Sequence, residues 1–370
     1  MIMRNNITEL LKGVEVEWKN LDEVTNYEQP TKYLVTSTNY NDEYKTPVLT
    51  AGKTFILGYT NEIAGIYAGK NNPVIIFDDF TTANKWVNFD FKIKSSAMKI
   101  ISSADEEKYN LKYIYYWMST LPNEKIDNDH KRQWISNYAN KKIPVPPFSI
   151  QTEIVRILDK FTALTAELTA ELTAELTARE KQYNYYRDQL LTFQEDEVEW
   201  KNLGEIAKIK NGKDWKKLGD GDIPVYGTGG VMGYVNTHAY NKPTVLIPRK
   251  GSITNIFYLE SPFWNVDTIY YTEIDEEEII PKFFYYYMKT IDLTKLDTGS
   301  GRPSLTKAIL DNINIPIPPL KEQARIVEIL DKFDVLTNSI TEGLPREIEL
   351  RQKQYEYYRN LLLDFPKAEQ

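Results

Sequence analysis

The chain has no cysteine and, among its 370 residues, two histidines, His130 and His238. Disulfides, thiolate zinc sites and cysteine nucleophiles are therefore excluded, and a histidine-based metal cage has little to build on. No run approaches the roughly 18 consecutive apolar residues of a membrane span, and Met1 to Lys12 lacks a basic stretch followed by an apolar one. A soluble, cytoplasmic protein is expected. A positive balance is missing as well. The net charge of -8 speaks at first against nucleic acid, because neutralising phosphates calls for an excess of Lys and Arg. The distribution softens that objection, since Asp22 to Lys142 holds 15 acidic and 15 basic residues, and Leu203 to Asn314 holds 14 and 13. Five of those 14 acids crowd into Glu273 to Glu278, so the rest of the second block carries an excess of bases.

What is present is a duplication, the feature to seek before any local motif. Ile143-Pro-Val-Pro-Pro147 returns as Ile315-Pro-Ile-Pro-Pro319. Gln151-Thr-Glu-Ile-Val-Arg-Ile-Leu-Asp-Lys-Phe161 returns as Gln323-Ala-Arg-Ile-Val-Glu-Ile-Leu-Asp-Lys-Phe333, and Arg179-Glu-Lys-Gln-Tyr-Asn-Tyr-Tyr-Arg187 as Arg351-Gln-Lys-Gln-Tyr-Glu-Tyr-Tyr-Arg359. These pairs share one offset, 172, whereas Glu15-Val-Glu-Trp-Lys-Asn-Leu21 returns as Glu197-Val-Glu-Trp-Lys-Asn-Leu203 at 182. Length and repetition together predict two domains.

Each repeat reads as a mixed domain entered at Trp18 or Trp200 and closed by prolines, which lack amide donors and favour extended backbone, so that a helix starts only beyond them. The helices are expected over about 151–193 and 323–365. An unbroken 43-residue helix would be a rod of roughly 64 Å. Ile154, Ile157, Leu158, Phe161 and Leu164 form an apolar stripe at helical spacing, repeated by Ile326, Ile329, Leu330, Phe333 and Leu336. Inside the first helix, Thr165-Ala-Glu-Leu occurs three times through Leu176; these strong helix formers make a spacer. In the second, Gly343 and Pro345 predict a kink or interruption. Pro73 to Phe77 and Pro243 to Ile247 read as β-runs, and Leu111 to Met118 and Pro281 to Met288 as amphipathic helices whose rings belong to the core.

Catalytic patterns are weak. Gly52-Lys53-Thr54 resembles the end of a phosphate loop, but the required first glycine would fall at Pro47. Asp78 or Asp79 with Glu106 and Lys108 mimics a metal-dependent nuclease triad, a triplet that arises easily among 53 acids and 45 bases. Gly227, Gly229 and Gly230 depart from the dinucleotide fingerprint.

The duplicated proline stop, the Gln-x-x-Ile-Val-x-Ile-Leu-Asp-Lys-Phe motif and the Thr-Ala-Glu-Leu spacer resemble the specificity subunit of type I restriction enzymes over essentially the whole chain. The resemblance implies an α/β (α+β) fold: two mixed target-recognition domains, related by approximate two-fold symmetry and joined by two long antiparallel coiled-coil helices. Its boundaries would be an N-terminal segment at 1–17, recognition domains at 18–147 and 197–319, and spacer helices at 148–196 and 320–370. It implies a non-catalytic reader of a bipartite, asymmetric DNA site. The implied partners are two modification (methyltransferase) subunits that bind S-adenosylmethionine and methylate adenine, and restriction subunits driven by ATP. No cofactor is expected on this chain itself; S-adenosylmethionine, ATP and Mg belong to the partners. The alternative is a Mg-dependent nuclease or methyltransferase carrying its own recognition domains; a purely structural coiled coil would leave the two domains unexplained.

Base-reading residues are sought in loops, because Arg and Lys match guanine, Asn and Gln match adenine, and hydroxyls are versatile. In the second block these are Arg249, Lys250 and Ser252 after a β-run, and Arg302, Ser304, Thr306 and Lys307 before the proline stop, with Tyr226, Thr228 and Trp215 as weaker candidates. In the first block, Thr81, Thr82, Lys85, Lys131, Arg132 and Gln133 are analogues by position.

Overall fold

The computed structural model describes residues 2–51, 54–122, 132–297, 303–338 and 342–366. The chain divides into two compact units, Met1–Ala170 with Glu349–Gln370, and Glu171–Ile348.

Each unit contains the same three sheets. In the first, Glu17–Asn20 pairs antiparallel with Lys142–Val145, setting Trp18 opposite Pro144. In the second, Glu199–Asn202 pairs with Asn314–Ile317, and Trp200 faces Pro316. A two-stranded ribbon accepts proline because its outer edge needs no donor. A four-stranded antiparallel sheet follows, in the order Thr25–Glu28, Met98–Ser103, Val74–Asp78, Asn84–Val87 in one unit, and Ala207–Asn211, Ile269–Ile274, Thr244–Pro248, Phe257–Leu259 in the other. Its strands Val74–Asp78 and Thr244–Pro248 are buried along their whole length, as their apolar runs Val74–Phe77 and Val245–Pro248 require. Three shorter strands complete each unit: Ile56–Thr60, Thr46–Leu49 and Lys92–Ile93, or Gly230–Val235, Ile223–Gly227 and Trp264–Asn265.

The aromatic stretches are helices, Leu111–Met118 and Pro281–Met288, each packing on its unit's four-stranded sheet and burying most of its rings. Asn110 caps the first by accepting from the amides of Lys112 and Tyr113; Pro281 opens the second at a position where a missing amide costs nothing. Each is clamped to the helix that leaves the proline stop. Asp159 accepts from Tyr116 at 2.6 Å and Lys112 at 2.8 Å, and Asp331 accepts from Tyr286 and Lys282 at the same distances. Gln151 and Gln323, both buried, bracket the junction. Gln151 accepts from the Asn110 amide and donates to the carbonyls of Lys108 and Pro146, and Gln323 does the same with Ile280, Glu278 and Pro318.

The first long helix runs unbroken over Phe148–Leu190. The second is interrupted: one helix covers Leu320–Asn338 and another Gly343–Leu363, with 339–341 outside the described residues. Gly343 has φ +79°, and a Cβ there would meet the Val335 carbonyl at 2.4 Å, so only glycine fits. Phe161 stacks on Tyr358 at 5.5 Å within the first unit, and its repeat counterpart Phe333 stacks on Tyr186 at 5.6 Å within the second. None of Thr165 to Leu176 is fully buried, as suits a spacer with little packing of its own. One element was not anticipated. Helix Ile2–Leu11 places Ile7 in the first unit's core beside Leu362, Leu363 and Phe365, and the Trp18 indole donates to the Pro366 carbonyl at 3.1 Å.

Candidate nucleic-acid interface

In the second unit the buried strand Thr244–Pro248 delivers Arg249-Lys250-Gly251-Ser252 to the surface. A second segment, 303–307, lies alongside: the Leu305 amide donates to the Arg249 carbonyl at 2.7 Å, Gly251 donates to the Pro303 carbonyl, and Lys250 bridges Ser304. Gly251 has φ +92°, a turn that suits glycine. The Arg249 guanidinium lies 5.9 Å from the Tyr270 ring centroid and donates to the Asp267 carbonyl, so it is braced yet half-exposed. Lys250 pairs with the Asp267 carboxylate at 2.9 Å; the hydrogen bond from that ammonium holds Asp267 below the usual carboxylate range. A third segment closes the cluster. Asn255 donates to the Thr228 carbonyl at 2.8 Å, and the Tyr226 ring lies 5.7 Å from Phe257. Thr306 caps the short helix Lys307–Asp311, which begins with the half-buried Lys307.

The structure thus brings together Arg249, Lys250, Ser252, Ser304, Thr306, Lys307, Thr228 and Tyr226. Trp215 stands apart: it packs with Val225, Val235 and Val266, and its ring would lie 2.7 Å from a Cβ on Gly233, so it braces the three-stranded sheet. Arg302 lies outside the described residues.

The first unit builds the same frame with other side chains. The Gln133 amide donates to the Asp79 carbonyl at 2.9 Å, the counterpart of the bond from Leu305 to Arg249. Asp79 is buried. Its carboxylate accepts from the Trp134 amide at 2.8 Å and faces the Lys99 ammonium at 3.5 Å, with neither side chain exposed. Burial pushes Lys99 below the usual lysine range, while Asp79 pulls it back. Lys99 also donates to Gln29 and to the Ser96 carbonyl. Thr81 and Lys85 are exposed, Thr81 donating to Asp78 at 2.5 Å, and Arg132 is exposed beside Gln133. Thr82 and Gln133, expected at the surface, are 1% and 7% exposed and turn their side chains inward; Thr82 takes φ +62°, strained for a β-branched residue. Lys131 lies outside the described residues.

The nuclease triplet does not assemble. Asp78 is occupied by the Phe80 amide and Thr81, Asp79 by Lys99, and Lys108 by Asp105. Among the described residues no group of three or more His, Asp or Glu could hold a metal ion. Gly52 and Lys53 lie outside the described residues. Among the described residues no helix is long and apolar enough to cross a membrane.

The family described as type I restriction modification DNA specificity domain matches the chain twice, over residues 13–178 and 195–350. The chain belongs to that family. Its relatives include the EcoR124I/EcoR124II specificity subunit of Escherichia coli, 53% identical over 98% of both chains, and the EcoprrI specificity subunit of the same species, 36% identical over 63% of each. The type I S subunit from M. genitalium shares the fold, with TM-score 0.58 and 19% identity over 96% of this chain and 98% of that one. This protein is therefore a specificity subunit, a non-catalytic component that recognises DNA with two domains.

Sequence reasoning missed Asp267, Asn255, and the Asp79–Lys99 pair. Extending the duplication beyond its matched motifs would have drawn attention to Asp79, because Val74–Asp78 and Thr244–Pro248 are offset by 170 and set Asp79 where Arg249 stands, but nothing in that offset points to Lys99.

Proposed function

We propose that each unit reads one segment of a bipartite, asymmetric DNA site, the second through Arg249, Lys250 and the 303–307 segment, the first through the 79–82 loop with Arg132. One observation carries this reading. Both units place a hydrogen-bonded pair of loops at the end of the same buried strand, yet dress it with unlike side chains, as two readers of unlike sequences would. Asymmetry of the site follows from that difference. The uniform Thr-Ala-Glu-Leu stretch sets the length of the unread gap. Exposed apolar residues on the helices, such as Leu164, Val335 and Leu350, suit docking of two adenine-methylating modification subunits, with restriction subunits joining that assembly. S-adenosylmethionine, ATP and Mg are handled by those partners, in the cytoplasm.

The experiment is mapping of adenine methylation in cells expressing this chain with its modification subunit. A two-part motif that disappears when the chain is deleted supports the reading; methylation indifferent to the chain defeats it. Removing one unit, Thr165 to Leu168, shortens the helix by ~6 Å, close to two base pairs at ~3.4 Å each. The same mapping should show both half-sites kept and the gap one or two base pairs shorter.

A further inference from the structure

We propose that Phe80 and Ile135 are specificity-determining residues of the first unit, and that they meet thymine methyl groups in the major groove. The proposal rests on the reading that the paired loops face DNA. It starts from register. Lys99 lies opposite Phe77 and Tyr270 opposite Ile247, so the ends of the two buried strands superpose in sequence, and the residues that follow are Asp79-Phe80 and Arg249-Lys250. The neighbouring segments are tied at both ends by matching backbone bonds, Gln133 to Asp79 and Leu21 to Lys141 in one unit, Leu305 to Arg249 and Leu203 to Ile313 in the other. Counting from either end places Ile135 where Lys307 stands. The second unit therefore carries an ammonium at both positions, and the first carries a large apolar side chain at both.

Neither side chain is a core residue that failed to pack. The space beneath is filled by Phe77, whose ring lies 5.1 Å from that of Trp134 and 4.9 Å from that of Tyr138, while Phe80 and Ile135 are 46% and 57% exposed. The acid between them is kept from repelling phosphate by its burial against Lys99, and through the Gln133 and Trp134 amides it holds both segments together. An exposed apolar pair at a base-reading surface, Phe80 on its loop and Ile135 on the short helix Gln133–Ser136, has one apolar counterpart on the base edges of the major groove, the C5 methyl of thymine.

The test uses the complete complex of this chain with its modification subunits, on duplexes carrying the mapped site. Replacing thymine by deoxyuridine removes only the methyl. Binding should weaken about fourfold at each contacted thymine of the first half-site, the factor one CH2-sized group is worth. Phe80→Ala or Ile135→Ala should weaken binding similarly and abolish the difference between thymine and deoxyuridine there, with the second half-site unchanged. If the alanine variants disturb the first half-site but deoxyuridine is silent throughout it, the loops read DNA by another chemistry and the methyl assignment falls. A first half-site without a thymine on either strand has the same consequence. If Phe80→Ala, Ile135→Ala and Lys250→Ala all leave the methylated motif and its affinity unchanged, the loop reading itself falls, and the inference with it.

Discussion

Asp79 and Arg249 occupy equivalent places in the two units and do opposite things. Both accept a backbone hydrogen bond from the segment preceding the proline stop, and both directly follow a buried strand. Asp79 turns inward onto a buried lysine, whereas Arg249 stays half-exposed over Tyr270. A frame can thus be duplicated while the side chain at its tip changes from a structural anchor into a candidate reading group.

The comparison breaks most severely at Asp79. Asp79→Leu strands the buried Lys99 ammonium and should destabilise the protein by about 3–5 kcal/mol, read by denaturant unfolding, with Asp79→Leu/Lys99→Met recovering most of the loss. Arg249→Ala should leave unfolding nearly unchanged and cost about 1–3 kcal/mol of binding, confined to one position of the second half-site. A uniform loss over all sequences would instead make Arg249 a phosphate contact. Gln151→Ala and Gln323→Ala each leave buried backbone groups unpaired, at roughly 1–3 kcal/mol apiece. Equal losses would show that the frame is energetically as well as geometrically duplicated; clearly unequal ones would end that equivalence. The smallest effect belongs to the exposed Lys250–Asp267 pair. Asp267→Asn should change stability by less than about 1 kcal/mol. Because Asp267 is held below the usual carboxylate range, its contribution is present above that range and fades only as pH falls through its depressed value. Unfolding of Asp267→Asn and parent should therefore differ by the same small amount throughout neutral pH.

Much of the frame was legible. Apolar runs bounded by proline located Val74–Asp78 and Thr244–Pro248 to within a residue, and helical spacing located the two aromatic helices. The long helices begin three residues earlier than expected, at Phe148 and Leu320, because a helix can start directly after the last proline. Less of the interface was legible. Thr82, in a loop, and Gln133, at the start of the short helix Gln133–Ser136, are polar yet buried, and Trp215 is aromatic and loop-borne yet structural. Polarity predicts exposure only on average, since a hydrogen-bonded loop can fold a polar side chain under itself. Nor did the sequence announce that Ile2–Leu11 and the end of the last helix share one core, for that contact spans almost the whole chain.

The amino-acid sequence by itself determined the duplication, the two buried β-runs, the two aromatic helices, the unbroken first helix and the broken second. Each of these follows from local periodicity or from backbone limits imposed by proline and glycine. Tertiary structure alone decided that Asp79 would be neutralised by Lys99, that Arg249 would be braced by Tyr270 and Asp267, and that Phe80 and Ile135 would be left at the surface. Those outcomes depend on which residues distant in the chain arrive beside each loop, and no local pattern encodes them.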